Sequence, residues 1–251
     1  MRQISRVLAW FSCGDASAVA SMLAVGKYGA QCEVIYCDTF AYEHPDNRRF
    51  FADVEKWIGR QILVRRSSEY EDIYDVFQRT KWLVGIGGAR CTTEMKKNVR
   101  KEYQRVDDLH VFGFTADEKH RVDRFRKENP ELWAEFPLID NGITKADCHA
   151  IVRRAEIELP AMYRLGYQNN NCIGCVKGGS GYWNKIRVDF PEAFDRMAKM
   201  ERQLNAAICK REGVTDGKRW RERVFLDELP TDAGRYTVEP DIECGVLCST
   251  D

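Results

Sequence analysis

The chain has no apolar run near the roughly 18 residues that a membrane-spanning helix needs, no internal repeat and no low-complexity tract. Nor has it a surplus of charge, since 39 lysines and arginines face 39 aspartates and glutamates. A balanced chain has no bulk attraction to nucleic acid or to an anionic membrane, so such a contact would need a local patch. The basic residues are too dispersed along the sequence to mark one. Proline is sparse, 7 in 251 residues, and histidine sparser, with 4. Of the histidines, only His44 stands in a segment that would bring it to a pocket. No apolar stretch with a cleavage site follows Met1, and the first residues lead straight into a strand pattern, which predicts a cytoplasmic protein without a secretory leader. The length allows one large domain with a proper core, or one domain with a small appendage.

Cysteine is what the chain does have, with 10. A cytoplasmic setting makes metal binding or thiol chemistry a better account of some of them than disulfides. Cys32, Cys37 and Cys209 lie among apolar neighbours and read as buried, inert thiols. Cys148 follows a helix start and is left open. Cys91, Cys172, Cys175, Cys244 and Cys248 lie in loops rich in glycine, asparagine or threonine, where packing gives little reason for a thiol.

Apolar runs at 6–11, 32–37, 62–65 and 110–114 read as strands, and helical patterns at 18–25, 47–58 and 93–104 separate them. Strand alternating with helix predicts an α/β fold: a parallel twisted sheet with helices on both faces, and ligands beyond the carboxyl ends of the strands. After about residue 140 helices dominate. Thr144 with Asp147 marks a helix start of the capping-box kind, a short helix begins near Pro160, and residues 191–211 read as a long amphipathic helix with Pro191 in its first turn. From Glu212 the pattern is polar without a period and is expected to form a mobile tail. The expected division is therefore a nucleotide-binding part at 1–140, a helical, cysteine-bearing part at 141–211 and a tail at 212–251.

The first strand turns into the first helix through Ser12-Cys13-Gly14-Asp15-Ala16-Ser17, small residues almost throughout. Gly14 permits close backbone approach, Ser12 and Ser17 supply hydroxyls, and a helix starting near Asp15 turns unpaired N–H groups toward an anion. An ordinary strand-to-helix turn is the plain alternative.

This loop resembles the pyrophosphate-binding loop SGGxDS of the PP-loop superfamily, which holds ATP pyrophosphatases, tRNA thiolation enzymes and sulfonucleotide reductases. Cys13 stands for the first glycine and Ala16 for the aspartate of the nucleotide-hydrolysing members. Further segments are similar in the same order. Val34 to Thr39, with Glu43-His44-Pro45, resembles DTG.EHPE near the adenosine. Arg90 to Lys97 resembles the cysteine-and-lysine segment, and Gly113 to Glu118 with Arg121 resembles GIRADES..R. Phe136-Pro137-Leu138, Leu159-Pro160 with Tyr163, and Cys172-Ile173-Gly174-Cys175 complete a series over about residues 6–180. Glu243-Cys244-Gly245-Val246-Leu247-Cys248 resembles the reductases' terminal ECG(L/I)H, with Leu247 in the histidine place.

The resemblance to the phosphoadenylyl sulfate (PAPS) reductase family implies an adenine nucleotide alpha hydrolase-like fold and an adenine nucleotide as substrate. It implies thiol-dependent reduction of an adenylyl sulfate to sulfite, with Cys244 as nucleophile and release of AMP or its 3′-phosphate. A thioredoxin-like protein would be the thiol donor. Ser12, Cys13, Gly14, Asp15 and Ser17 would hold phosphate or sulfate, and Asp38 and Thr39 would lie near the adenosine. Lys96, Lys97, Arg100 and Arg121 would offset the anion, unless the lysine-rich helix face is simply solvated. Asp117 and Glu118 would bind magnesium or the ribose, or else cap the following helix. Cys172 and Cys175 in a C-x-x-C loop, with Cys91, suit a four-iron four-sulfur cluster or zinc, and the spacing also allows no metal. Cys248 is the expected fourth ligand, with Cys244, Cys148 or an open coordination site as alternatives, and Cys244 and Cys248 together completing Cys172 and Cys175 is the competing arrangement. Two other readings stand beside the reductase: an ATP-dependent, adenylating sulfurtransferase acting on nucleic acid or a small base, and a non-catalytic nucleotide-binding metalloprotein. A membrane partner is not expected.

Overall fold

The structure is a computed structural model that describes residues 4–85, 88–240, 242 and 244. Strands β1 (Arg6–Phe11), β2 (Cys32–Cys37) and β3 (Ile62–Arg65) alternate with helices α1 (Asp15–Tyr28), α2 (Asn47–Ile58) and α3 (Ile73–Thr80). A small bridge follows, β4 (Val84–Gly85) with β5 (Gly88–Ala89), then α4 (Arg90–Thr92), a π-turn over Thr93–Lys97 and α5 (Asn98–Tyr103). Next come β6 (Asp108–Val111), α6 (Lys119–Glu128) and β7 (Trp133–Glu135). Helices α7 (Pro137–Asp140), α8 (Lys145–Arg154), α9 (Ala161–Arg164), α10 (Ser180–Asp189) and α11 (Pro191–Leu204) lead to a hairpin, β8 (Cys209–Thr215) and β9 (Lys218–Val224).

Five strands form one parallel sheet in the order β3-β2-β1-β6-β7. The apolar run of β1 suits a strand covered on both sides. Val7, Ala9 and Phe11 pack with Ala18, Phe50, Val54 and Val152 from α1, α2 and α8 on one face. Leu8 and Trp10 face the other way, toward Val99, Val122 and Phe125 from α5 and α6. The expected α/β class with a helix-flanked parallel sheet is therefore the observed one. A third cluster gathers α3 with α10 and α11 around Phe77, Trp183, Ile186 and Met197.

The order of the strands explains where a site can form. The chain runs outward from β1 through β2 to β3 and then crosses back to β6 on the other side of β1. Loops leaving β1 and β6 therefore diverge, and a crevice opens between them. The small residues of α1 let it sit low on the sheet: a methyl group placed on Gly113, just past β6, would stand 2.7 Å from Ser17 Cα.

Three expectations need correction. The helix expected over 191–211 stops at Leu204, where Asn205 takes a left-handed conformation, φ +51°, and caps it. The supposed mobile stretch from Glu212 enters a hairpin instead, and Asp216-Gly217, φ +50° and +75°, makes its two-residue turn. The helix expected over 93–104 is broken by the π-turn, so that only Asn98–Tyr103 is regular. The Thr144–Asp147 capping box is present as expected.

Glu201 joins the hairpin to α11: its fully buried carboxylate accepts Ile208 N at 2.5 Å and Leu226 N at 2.6 Å. Burial pushes its pKa up to about 7, against those two hydrogen bonds. A carboxyl raised in the folded state stabilises the fold below its unfolded pKa, and that contribution is lost as pH rises through about 7. Buried His110, held by Trp10 Nε1 at 3.0 Å and lowered by burial to about 4, has the opposite pH dependence. It is common to wild type and variant. Glu201→Gln should therefore lose about 2 kcal/mol more stability than wild type on going from about pH 7.5 to about pH 5. Urea unfolding at the two pH values checks this, and parallel stability curves would refute it.

Candidate active site

A cavity of 380 Å³ opens at the carboxyl ends of β1, β2 and β6, in the crevice that the strand order creates. That volume is in the range of small-molecule sites. Its floor is the loop from Ser12 to Ser17 at the start of α1, and Cys37, Gly113 to Thr115 and Lys96 line its sides.

The loop is held by its own atoms. Ser17 Oγ accepts from Ser12 N at 3.0 Å and donates to Gly14 O at 2.9 Å, which closes a small ring ahead of the helix. No side chain caps α1, so its first N–H groups remain for an incoming acceptor. Cys13, wholly buried, takes φ +55°, a conformation a glycine adopts without cost. Its side chain points away from the cavity, with Sγ 4.0 Å from Asn47 O.

Below the loop lies a buried polar chain. Asn170 Nδ2 donates to Cys13 O at 2.7 Å and to Asn47 Oδ1 at 2.9 Å. Asn47 Nδ2 donates to Glu43 Oε2 at 2.7 Å, and Thr39 Oγ1 donates to Glu43 Oε1 at 2.5 Å. Burial pushes the Glu43 carboxyl up, opposed by Lys96 and these hydrogen bonds. The chain therefore ties the β1 loop, the β2 loop, α2 and the segment before Cys172 to one another.

Several sequence-expected residues line the cavity: Ser12, Gly14, Asp15, Ser17, Lys96, Asp117, Glu118, Arg121, Cys172 and Cys244. Others do not. Asp38 turns toward Arg66 Nε, at 2.8 Å, and Phe40 N, at 3.1 Å. Thr39 is spent on Glu43, and Lys97 is not part of the wall. Arg100 is buried away from it, because the π-turn shifts the helical phase between Lys96 and Arg100; its Nη2 stands 3.5 Å from Asn129 Oδ1.

The acidic pair departs from a magnesium site. Glu118 forms a capping box with Thr115, accepting Thr115 N at 3.0 Å, and its other oxygen pairs with Arg121. Asp117 Oδ2 accepts Lys145 N at 3.1 Å. Helix capping thus accounts for Glu118 and part of Asp117. Asp15 lines the cavity, but its Oδ1 accepts Tyr163 OH at 2.5 Å and its Oδ2 stands 3.1 Å from His149 Nε2, off a hydrogen-bond line. Burial and then Asp15 push the Tyr163 hydroxyl well up, so it is a proton donor here.

The thiols meet at one end. Tyr182 OH accepts Gly174 N at 3.1 Å and Cys175 N at 2.9 Å and donates to Cys172 O at 3.2 Å, so the C-x-x-C loop wraps around one hydroxyl. Gly174, φ +76°, permits the curl. Glu239 caps α10, accepting Gly181 N at 2.6 Å and Tyr182 N at 2.9 Å, and Asn171 Nδ2 holds Ile242 O at 2.9 Å. These anchors return the chain to the cavity and place Cys244 Sγ 3.6 Å from Lys96 Nζ and 3.7 Å from Thr92 Oγ1. Burial is the main cause that raises Cys91 and Cys175, each to about 12, with Cys244 the next cause in both. Cys172 is raised well above its ordinary value by burial, against Lys96, and Cys244 and Cys175 add to the rise.

Four thiols from three segments are thus within electrostatic reach of one another, the donor chemistry that an iron–sulfur cluster or zinc takes. Among the described residues, no three His, Cys, Asp or Glu side chains already stand in metal-holding positions. The donor set fits such a group in kind, with Cys244 rather than Cys248 beside the other three; Cys248 lies outside the described residues.

The sequence marks neither Lys145 nor Asn170 as a site residue, and it marks Tyr163 only as part of the resembling series. Lys145 lines the cavity and is held by Gln168 O and Asn169 Oδ1. The run Asn169-Asn170-Asn171 directly before Cys172 was the available signal, three amides where a loop needs none.

No family model matches this chain. It is similar to an uncharacterized protein of Methanocaldococcus jannaschii, 23% identical over 227 residues, which cover 86% of this chain and 45% of that relative. The chain spans about half the length of the curated relative it matches.

Gly113→Ala should test the close approach of β6 to α1. With Ser17 Cα 2.7 Å from the added methyl, one of two backbones must move. The expected cost is about 2 kcal/mol or more in urea unfolding, whereas Gly26→Ala, with open space around it, should be neutral or stabilising.

Proposed function

We propose that the chain is an adenine nucleotide-binding enzyme of the PAPS reductase kind that reduces an adenylyl sulfate through Cys244. The observation that carries this reading is the position of Cys244 Sγ: it lines the same cavity as the Ser12–Ser17 loop and lies 3.6 Å from Lys96 Nζ. An ammonium at that distance favours a thiolate, the form that attacks.

The phosphate and sulfate lie over the α1 N-terminus, where the unpaired N–H groups, Ser12, Lys96 and Lys145 meet their charge. The Cys244 thiolate attacks the sulfur of the sulfate. A sulfur–sulfur bond forms, the sulfur–oxygen bond to the nucleotide phosphate breaks, and AMP or its 3′-phosphate leaves with the electron pair. The thiolate of a thioredoxin-like donor then attacks Cys244 Sγ. Sulfite leaves with the pair, and the donor's second thiol frees Cys244 by forming the donor's own disulfide. Cys91, Cys172 and Cys175 would hold an iron–sulfur cluster or zinc, which when bound adds a redox-active or Lewis-acidic centre beside the thiol.

The gathering of Cys91, Cys172 and Cys175 next to Cys244 favours a second reading, ATP-dependent sulfur transfer, in which Cys244 is a ligand. Nucleotide product and metal content separate the two. With adenylyl sulfate and reduced thioredoxin, the protein should release AMP and sulfite, and Cys244→Ser should lower this by about 10³-fold or more. Bound iron or zinc should be lost in Cys172→Ser and kept in Cys244→Ser. Pyrophosphate release from ATP, with metal lost in both variants, would replace the reductase by the sulfurtransferase.

A further inference from the structure

The hairpin β8–β9 takes no part in the cavity and is exposed along most of its length. Its register pairs Lys210 with Arg223, Glu212 with Arg221 and Val214 with Arg219. Residues directly opposite in an antiparallel pair point to the same side. These six therefore share one face, which holds four cations and one carboxylate. The opposite face begins at Cys209 and Val224, both buried in the helical cluster, so the cationic face is the one turned away from the body.

We propose that this outward face of β8–β9 docks on the phosphate backbone of duplex DNA, with the ribbon lying in the major groove. Charge and shape both favour that partner. The whole chain is neutral, yet this face holds four cations against one carboxylate, and Arg219, Arg221 and Arg223 recur along β9 at a spacing of about 7 Å. The Lys210 and Arg219 side chains have no hydrogen-bond or ion-pair partner among the described residues, and the one side chain that reaches Lys210, Ser180 Oγ, donates to its carbonyl at 3.2 Å. Arg221 pairs with Glu212 at 2.8 Å, and Arg223 donates to Ala207 O and Ile208 O, both at 3.0 Å, which fixes its guanidinium at the base of the ribbon. Burial first, then the charges of Arg223 and Arg221, push the Lys210 ammonium down, and Glu212 opposes them.

A two-stranded ribbon fits the B-form major groove, about 12 Å wide. The major groove of A-form RNA is too deep and narrow for it. Trp220 does not offer a stacking platform for single strands. It lies over Gly213, where a methyl group would meet its ring at 2.4 Å, and its Nε1 donates to Thr215 Oγ1 at 3.1 Å. It stiffens the ribbon on the side away from the cations. A second copy of the chain would bring the same positive face and be repelled.

The proposal concerns binding alone and stands apart from the chemistry assigned to the cavity. Fluorescence anisotropy of a labelled DNA duplex of two to three helical turns, titrated with the full chain between about 50 and 200 mM salt, tests it. The double variant Lys210→Gln with Arg219→Gln should bind about tenfold more weakly or worse, and its log–log salt slope should be shallower by about 2. Lys81→Gln, on an exposed residue elsewhere, should bind as wild type does. A melting temperature unchanged from wild type certifies the fold of the double variant, and each single substitution should give about half of the slope change. Absence of binding at the lowest salt, or binding indifferent to the substitutions, would overturn the proposal. Equal affinity for duplex RNA or single-stranded DNA, or a dimer in sedimentation that the substitutions abolish, would overturn it in favour of those partners.

Discussion

The hydrogen bond from Asn170 Nδ2 to Cys13 O, 2.7 Å long and buried, is the constraint on which the site depends. A left-handed residue other than glycine has to be held by its surroundings, and Cys13 is held from below by this amide. The same nitrogen reaches Asn47, which reaches Glu43, which receives Thr39. A network of this kind stabilises through the members that are paired, because an unpaired polar group in a dry interior is costly; here the Asn170 amide nitrogen makes two bonds while its buried Oδ1 makes none among the described residues. The loop that starts α1 and the loop that carries Cys172 are therefore positioned by one shared set of atoms.

That coupling gives the cavity two chemically different ends. At one, the helix start and its hydroxyls suit an anion. At the other, Cys172 and Cys244 stand by Lys96 and Thr92, with Cys91 and Cys175 within electrostatic reach. Lys96 belongs to both ends, and the π-turn that interrupts α4 and α5 turns it inward while sending Arg100 elsewhere. Irregular turns of that type occur often at functional positions in helices.

The chain after α11 has two roles. First it leaves the body as a charged ribbon tied down by Glu201. Then Glu239 caps α10 and Asn171 holds Ile242, so that the chain returns over the cavity. A polar stretch can carry such structure because a hairpin needs only its turn and a buried base, here Asp216-Gly217 and the pair Cys209 and Val224.

The sequence by itself determined the α/β alternation, the parallel sheet and the loop at its first switch. These are written locally: a strand buried on both faces reads as a continuous apolar run, as Val7 to Phe11 does, and small residues at 12–18 mark a tight turn into a helix. It also marked Cys172, Cys175 and Cys244 as thiols without a packing reason. Only the tertiary structure decided that Cys244, far along the chain, lies beside Lys96, that Glu118 caps a helix, and that Asp38 faces Arg66. Those choices rest on contacts between residues distant in sequence, and a side chain's alternatives there differ by a hydrogen bond or two, which no local pattern records. The hairpin lay between these extremes. Asp216-Gly217 suits a two-residue turn, but the flanking strands alternate charge rather than hydrophobicity, so the period that announces a strand is missing and the stretch reads as a tail.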